Sequence, residues 1–260
     1  MINMNSKKVA VMIQARVDSK RFPCKVLAKI ENKPMIWHII NRIKSIKTVN
    51  QIILLTTKRT EDKILLKIAN DFRVIGFAGH THDVLKRYYE CAKKYNVNTI
   101  VRITGDCPLI DPYLMRKMMT MYSNNKLDYL SNTLTPTFPD GLDTEIFSFK
   151  TLEIMNKNAK LYSEREHVTS YIRNNINKFK TFNLENSKNL SDLRWTVDEP
   201  RDLQFVRKIY AQMRPELIFS MNDVLSIISN NPKITNINKG IIRNEGYLIS
   251  LEKDKKKSKH

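Results

Sequence analysis

The sequence predicts an α/β protein: a mostly parallel sheet flanked by helices, with a smaller insert in its second half. Three observations lead there. Up to about residue 126, short apolar runs of strand length alternate with longer segments whose apolar residues recur at helical spacing. Beyond it the rhythm changes to short strand-like runs with shorter helical stretches between them. The length, 260 residues, suits one large domain with a small addition and suffices to bury a substantial core. We therefore expect one domain over 1–245, an insert at about 127–185 for substrate contact and dimerisation, and a basic tail over 246–260.

Taken in order, Val9-Ala10-Val11-Met12-Ile13 is the first buried strand. Residues 34–47, PMIWHIINRIKSIK, put Met35, Ile36, Ile39, Ile40 and Ile43 on one helical face behind a proline. QIILLTT over 51–57 is a second strand, 61–72 a helix and 74–77 a third strand. Asp83 is placed to cap a helix over 84–95. NTIVRIT, 98–104, is a fourth strand, and Asp111-Pro112 opens a helix running to about residue 124. In the insert, 127–132, 144–149 and 179–184 read as strands, with helices near 150–156 and over 163–174. The chain returns with a strand over 193–197, a helix over 199–213 opened by Pro200, and a short helix over 221–229. Residues 236–253 give no clear element, and the lysine-rich run from Lys253 to Lys259 reads as solvated and disordered.

Composition narrows the function. No apolar run approaches the ~20 residues needed to span a membrane, and the N-terminus has no stretch of signal-peptide length, so a cytoplasmic protein is expected. Cys24, Cys91 and Cys107 are odd in number and share no metal-ligand spacing, which fits a reducing compartment. The net charge of +19 invites a nucleic-acid reading, but there is no reader motif and no interleaving of basic and aromatic residues. A basic field also attracts a nucleoside triphosphate and an acidic sugar.

The chemistry begins right after the first strand. The stretch 14–27, QARVDSKRFPCKVL, carries Arg16, Lys20, Arg21 and Lys25, with Pro23 stiffening the loop. A cationic loop at the carboxyl end of a first parallel strand is where α/β proteins hold phosphates. Arginine offers a planar fork and lysine a point charge, and we read the loop as a triphosphate clamp; a solvated basic turn has the same composition. A second carboxyl-edge segment, Thr104-Gly105-Asp106-Cys107-Pro108, delivers a carboxylate beside that loop, where Asp106 could ligate magnesium or merely cap a turn. Trp195-Thr196-Val197-Asp198-Glu199-Pro200 repeats the pattern, and Asp198 is either a second carboxylate on the same ion or a helix cap.

The wording I-Q-A-R-x-x-S-x-R-x-P-x-K resembles the opening motif of the cytidylyltransferases that activate acidic sugars, most closely those called spore-coat polysaccharide biosynthesis proteins; the likeness runs over roughly 8–212. It implies a Rossmann-like nucleotidyltransferase fold and transfer of CMP from CTP to an acidic sugar with release of pyrophosphate. It also implies a homodimer and magnesium held by Asp106 and Asp198. The nucleotide contacts implied are Gln14, Ala15, Arg16, Ser19, Arg21, Lys25, Thr56, Thr57, Thr104 and Gly105, with Asp83 and Arg87 on a loop near the base. Asp140-Gly141-Leu142-Asp143-Thr144-Glu145 matches the family's D-G-L-D-x-E, so Asp140, Asp143 and Glu145, with Asn132, are expected on the sugar. Glu164, Arg165 and His167 belong to a helix that meets a substrate anion or is simply ion-paired. One departure stands out: the family usually has Gly where this chain has Cys24, and there is no glycine before Gly76. Two other readings are a glycosyltransferase, for which no Asp-x-Asp follows the middle strand, and a non-enzymatic nucleic-acid binder.

Overall fold

A computed structural model describes residues 8–257. The first parallel strands arise where the apolar runs lie. β1 (Val9–Gln14) leads through the basic loop to a two-residue hairpin, β2 (Lys29–Ile30) and β3 (Lys33–Pro34), and then to α1 (Met35–Lys44). β4 (Gln51–Thr57), α2 (Lys63–Asp71), β5 (Ile75–Gly79), α3 (Val84–Lys94), β6 (Thr99–Thr104) and α4 (Pro112–Asn125) continue the alternation. Asp83 caps α3 by accepting from the Lys86 amide, and Asp111 caps α4 by accepting from Tyr113 and Leu114. β7 (Tyr129–Ser131), β8 (Glu145–Ser148), α5 (Phe149–Asn158), α6 (Tyr162–Glu166), α7 (Ser170–Asn174) and β9 (Thr181–Asn183) follow. The chain closes with α8 (Pro200–Met213), α9 (Met221–Asn230) and α10 (Glu245–Lys257).

Seven strands form one sheet in the order β5-β4-β1-β6-β8-β7-β9. β1 lies parallel between β4 and β6, so Gln14 stands opposite both Leu55 and Thr104 and their carboxyl ends share an edge. β8 runs antiparallel between β6 and β7. The strands of the insert thus extend the main sheet. Apolar side chains pack on both faces: Val11, Ile13 and Val101 join α1, α4 and α8 on one, while Met12, Ile53 and Ile100 join α3, α5 and α7 on the other. Burial of both faces explains why β1 and β4 read as continuous apolar runs rather than as alternation.

Three expected elements differ. Residues 193–197 form no strand; a single bridge joins Arg194 to Asp140, and the backbone donates from Trp195 to Asp140 and from Val197 to Asp106. Its apolar alternation is that of a strand, but its neighbours are irregular segments that leave no ladder to join. The helix expected over 163–174 is two short helices, because buried Val168 takes a left-handed conformation (φ 58°) that breaks the first helix. The tail expected to be disordered is α10 as far as Lys257; it packs on α6, with the Asp254 carboxylate accepting from the Ser163 amide.

Candidate active site

The loop after β1 is built by its backbone. The Val17 amide donates to the Asp62 carboxylate (2.7 Å), and the Cys24 amide donates to the Val17 carbonyl (3.0 Å), closing the loop on itself. Cys24 stands at φ 58°, ψ 18°, a left-handed conformation that L side chains avoid. The next residue, Lys25, is thereby turned inward and buried.

The Lys25 ammonium spends its three donors on the Asp106 carboxylate (2.9 Å), the Asp198 carboxylate (2.8 Å) and the Val197 carbonyl (2.9 Å). Two acids that are 92 residues apart in sequence, by position, thus meet on one cation from the first loop. Arg21 adds a second cation on Asp198 (2.9 Å), and Arg194 a third (2.9 Å). Burial alone would raise the Asp106 carboxyl, but the Lys25 charge and a bond from Thr104 override it and hold Asp106 at about 2. Burial would likewise lower Lys25, and Asp106 and Asp198 together raise it instead.

Asp198 does not cap α8. That place belongs to Glu199, while Asp202 accepts from the Asp198 and Glu199 amides and from Arg194. The Asp198 side chain is left facing Lys25, Arg21 and Arg194. Gly105 crosses so close to the first strand that an added Cβ would meet the Ala15 Cβ at 2.8 Å; its amide donates to the Gln14 carbonyl. The Thr104 hydroxyl contacts the Cys107 thiol (3.2 Å), and the Cys107 thiol contacts the second Asp106 oxygen at only 3.5 Å.

The donor set fits a hard divalent cation. Aspartate oxygens are its preferred protein ligands, and a magnesium ion needs only one or two of them. Among the described residues no group of three or more His, Cys, Asp or Glu surrounds a common point. The Lys25 ammonium stands where positive charge is wanted between the two acids.

Other residues on this edge divide by whether a protein group already occupies them. The Arg16 and Lys20 head groups have no ion pair or hydrogen bond among the described residues. Ser19 accepts weakly from the Phe22 amide (3.4 Å). The Thr56 hydroxyl is buried with no partner, an orphan at a strand tip, whereas Thr57 donates to Asp62. Arg87 is buried and donates to the His80 and Thr81 carbonyls, shaping the loop that Asp83 and Arg165 fasten with a 2.8 Å bond.

The expected sugar side is more tightly engaged. Glu145 is buried against Arg102 and accepts from the Tyr129 and Thr169 hydroxyls. Arg102 also donates to the Gln14 side-chain oxygen (3.0 Å). Asn132 ties the Leu142 carbonyl and the Thr144 amide (2.9 Å each). Glu164 caps α6 by accepting from the Lys160 and Leu161 amides, and Arg165 also donates to the Asn156 carbonyl. His167 meets the Ser250 hydroxyl (2.9 Å), and burial lowers its pKa to about 4. Asp140 pairs with Arg194 (3.1 Å), while Asp143 pairs with Arg243 (2.9 Å). Burial, with Asp140 and Glu145 nearby, pushes Asp143 up to about 7 against the pull of Arg243. The structure therefore gathers Arg21, Lys25, Thr104, Gly105, Asp106 and Asp198 at one edge, with Asp140 and Asp143 beside them through Arg194 and Arg243.

Sequence reasoning missed Arg102, Arg194 and Arg243. A charge inside the strand NTIVRIT was the available signal for Arg102, since a buried arginine requires a partner. Arg194 sits in the same short segment as Asp198, and nothing local marked Arg243.

The cytidylyltransferase family model matches residues 10–236. The chain belongs to the cytidylyltransferase family. Among solved structures it is similar to a cytidylyltransferase from Leptospira borgpetersenii, with a TM-score of 0.87 and 33% identity over 92% of this chain and all of that one. It is 37% identical to an uncharacterised protein of Methanocaldococcus jannaschii over 92% of this chain and 98% of the relative. The spore coat polysaccharide biosynthesis protein SpsF of Bacillus subtilis is 27% identical, over 86% of this chain and 95% of its own length. As a cytidylyltransferase the protein is an enzyme that uses CTP, on a nucleotidyltransferase fold. No helix among the described residues is long and apolar enough to cross a membrane.

Proposed function

We propose that this cytidylyltransferase transfers CMP from CTP to a hydroxyl of an acidic sugar, of the eight- or nine-carbon keto-acid kind, for a surface polysaccharide or glycan. The observation that carries the reading is the Lys25 ammonium bonded to both Asp106 and Asp198 beneath a cationic loop. In the reaction the acceptor oxygen forms a bond to the α-phosphorus, the bond from that phosphorus to the bridging oxygen breaks, and pyrophosphate leaves. The acceptor proton passes to solvent or a nearby base.

The chain's own part is positioning and charge. Arg16, Lys20 and Arg21 neutralise the departing phosphates, and Lys25 holds the two aspartates in register. Asp106 and Asp198 would hold a magnesium ion, which supplies charge neutralisation and acidifies a bound hydroxyl. On the acceptor side Arg173 stands beside Glu145 and favours a substrate that brings its own negative charge. We expect a homodimer and a cytoplasmic enzyme, on the resemblance of the motifs.

The test is pyrophosphate release with CTP and magnesium across keto-acid sugars and neutral sugars. Release with a keto-acid sugar alone is the expected result; release with neutral sugars only contradicts the acidic acceptor, and consumption of a CMP-sugar in place of CTP contradicts the reaction.

A further inference from the structure

The chain beyond residue 236 lies outside the family match, yet it is fastened across the site. Asn238 is buried and donates to the Arg194 carbonyl (2.9 Å) and to Asp202 (3.0 Å), which anchors the departure point. Gly240 follows at φ 83°, with open space where a Cβ would stand. The chain then turns back over the sheet edge. Arg243 donates to Asp143 (2.9 Å) and to the Phe138 carbonyl (3.2 Å). Two residues on, the Glu245 carboxylate accepts from Arg21 (2.6 Å). α10 next lies against α6, with the Tyr247 ring edge-on to His167 at 5.2 Å.

The contact at Arg21 is the informative one. Its guanidinium is shared between Asp198 and Glu245, and a carboxylate oxygen and a phosphate oxygen compete for the same planar donors. The side chains of Arg21 and Glu245 are 35% and 43% exposed, the setting in which an ion pair is weak. A triphosphate brings several charges, and Arg16 and Lys20 stand ready beside it with no partner among the described residues.

We propose that residues 241–254 form a strap across the nucleotide site, in which Glu245 occupies the phosphate position on Arg21 and is displaced when CTP binds. This rests on the reading of the 14–25 loop as the triphosphate clamp. The closed strap lowers the apparent affinity for CTP in proportion to the fraction of molecules in which it stands open. Because Arg243 and Tyr247 lie on the acceptor side of the same segment, release by the nucleotide also uncovers the acceptor side, so the nucleotide binds first.

The experiment is calorimetric titration of CTP with magnesium into the full chain, Glu245→Gln and a chain ending at Lys239, with hydrogen exchange followed over 245–254. The expected result is CTP binding about threefold tighter in Glu245→Gln and about tenfold tighter in the shortened chain. In the full chain, the 245–254 amides exchange faster once CTP is present. Unchanged affinity in Glu245→Gln together with unchanged exchange overturns the strap, whether or not the shortened chain folds. Absence of CTP binding in all three proteins contradicts the nucleotide reading itself, an outcome distinct from equal binding in all three.

Discussion

In the loop after β1, Arg16 and Lys20 present head groups that no described protein group engages, whereas across the sheet Glu145 is bound by Arg102, Tyr129 and Thr169 together. Both sides carry polar residues from recognisable motifs. On one side Arg16 and Lys20 stay open, while Lys25 next to them is paired with Asp106 and Asp198. On the other, many are closed into internal bonds: Asn132 fastens a turn, Glu164 caps a helix and Arg165 locks the Asp83 loop. The difference teaches that a motif residue is either a ligand or a fastener for ligands, and that its burial and existing partners distinguish the two. A buried side chain whose donors are all spent has little left for a substrate.

This contrast can be broken at both ends. The largest effect is expected at the shared acid: Asp106→Asn should lower turnover by on the order of 10³-fold while leaving the fold intact. Pyrophosphate release and a thermal melt check it, and near-full turnover removes Asp106 from the chemistry. On the opposite side Arg102→Met should act through stability, at about 2–4 kcal/mol, because it leaves the buried Glu145 with only Arg173, 4.0 Å away, as a charge partner. Chemical denaturation reads this, and a loss below ~1 kcal/mol would mean Glu145 is freer than its bonds indicate. Arg16→Ala should do the reverse, changing stability by less than ~0.5 kcal/mol while raising the KM for CTP about tenfold, the weight of one charge-assisted contact.

A smaller effect is expected at the left-handed residue of this loop. Cys24→Gly should stabilise the protein by ~0.5–1 kcal/mol, since glycine takes a left-handed conformation without steric cost. Denaturation midpoints measure it; destabilisation would show that the Cys24 side chain makes up for its backbone. The least change is expected with pH. The Asp106 carboxyl lies below its ordinary value of 3.8, so its contribution is present above about pH 4 and fades as pH falls through about 2. Lys25 is raised above 10.5, so its contribution is full below that value and is lost only as pH rises beyond it. The stability difference between the wild type and Asp106→Asn should thus stay level from about pH 5 to 9. A step within that window would contradict the Lys25–Asp106 pairing.

Much of the frame was legible because burial on both sheet faces writes itself as apolar runs, as in β1 and β4. The carboxyl-edge placement of Asp106 and the proline-opened helix after Asp198 were also readable, since turn and cap residues act locally. What stayed hidden depends on distant partners. The segment 193–197 has a strand's alternation but no ladder beside it. Val168 adopts a conformation that valine disfavours because the core holds it there. The lysines of α10 read as a solvated tail, and only the packing on α6 makes a helix of them. The same limit hid Arg243, whose partners Asp140 and Asp143 lie about a hundred residues away.

The central claim is that Lys25, Asp106 and Asp198 form one centre for the CTP tail and its cation. Electron paramagnetic resonance of manganese, used in place of magnesium, tests it most directly. With CTP present, the wild type should bind the ion, and Asp106→Asn or Asp198→Asn should lose most of that binding while remaining folded. Undiminished manganese binding in both variants would place the cation elsewhere and contradict the account.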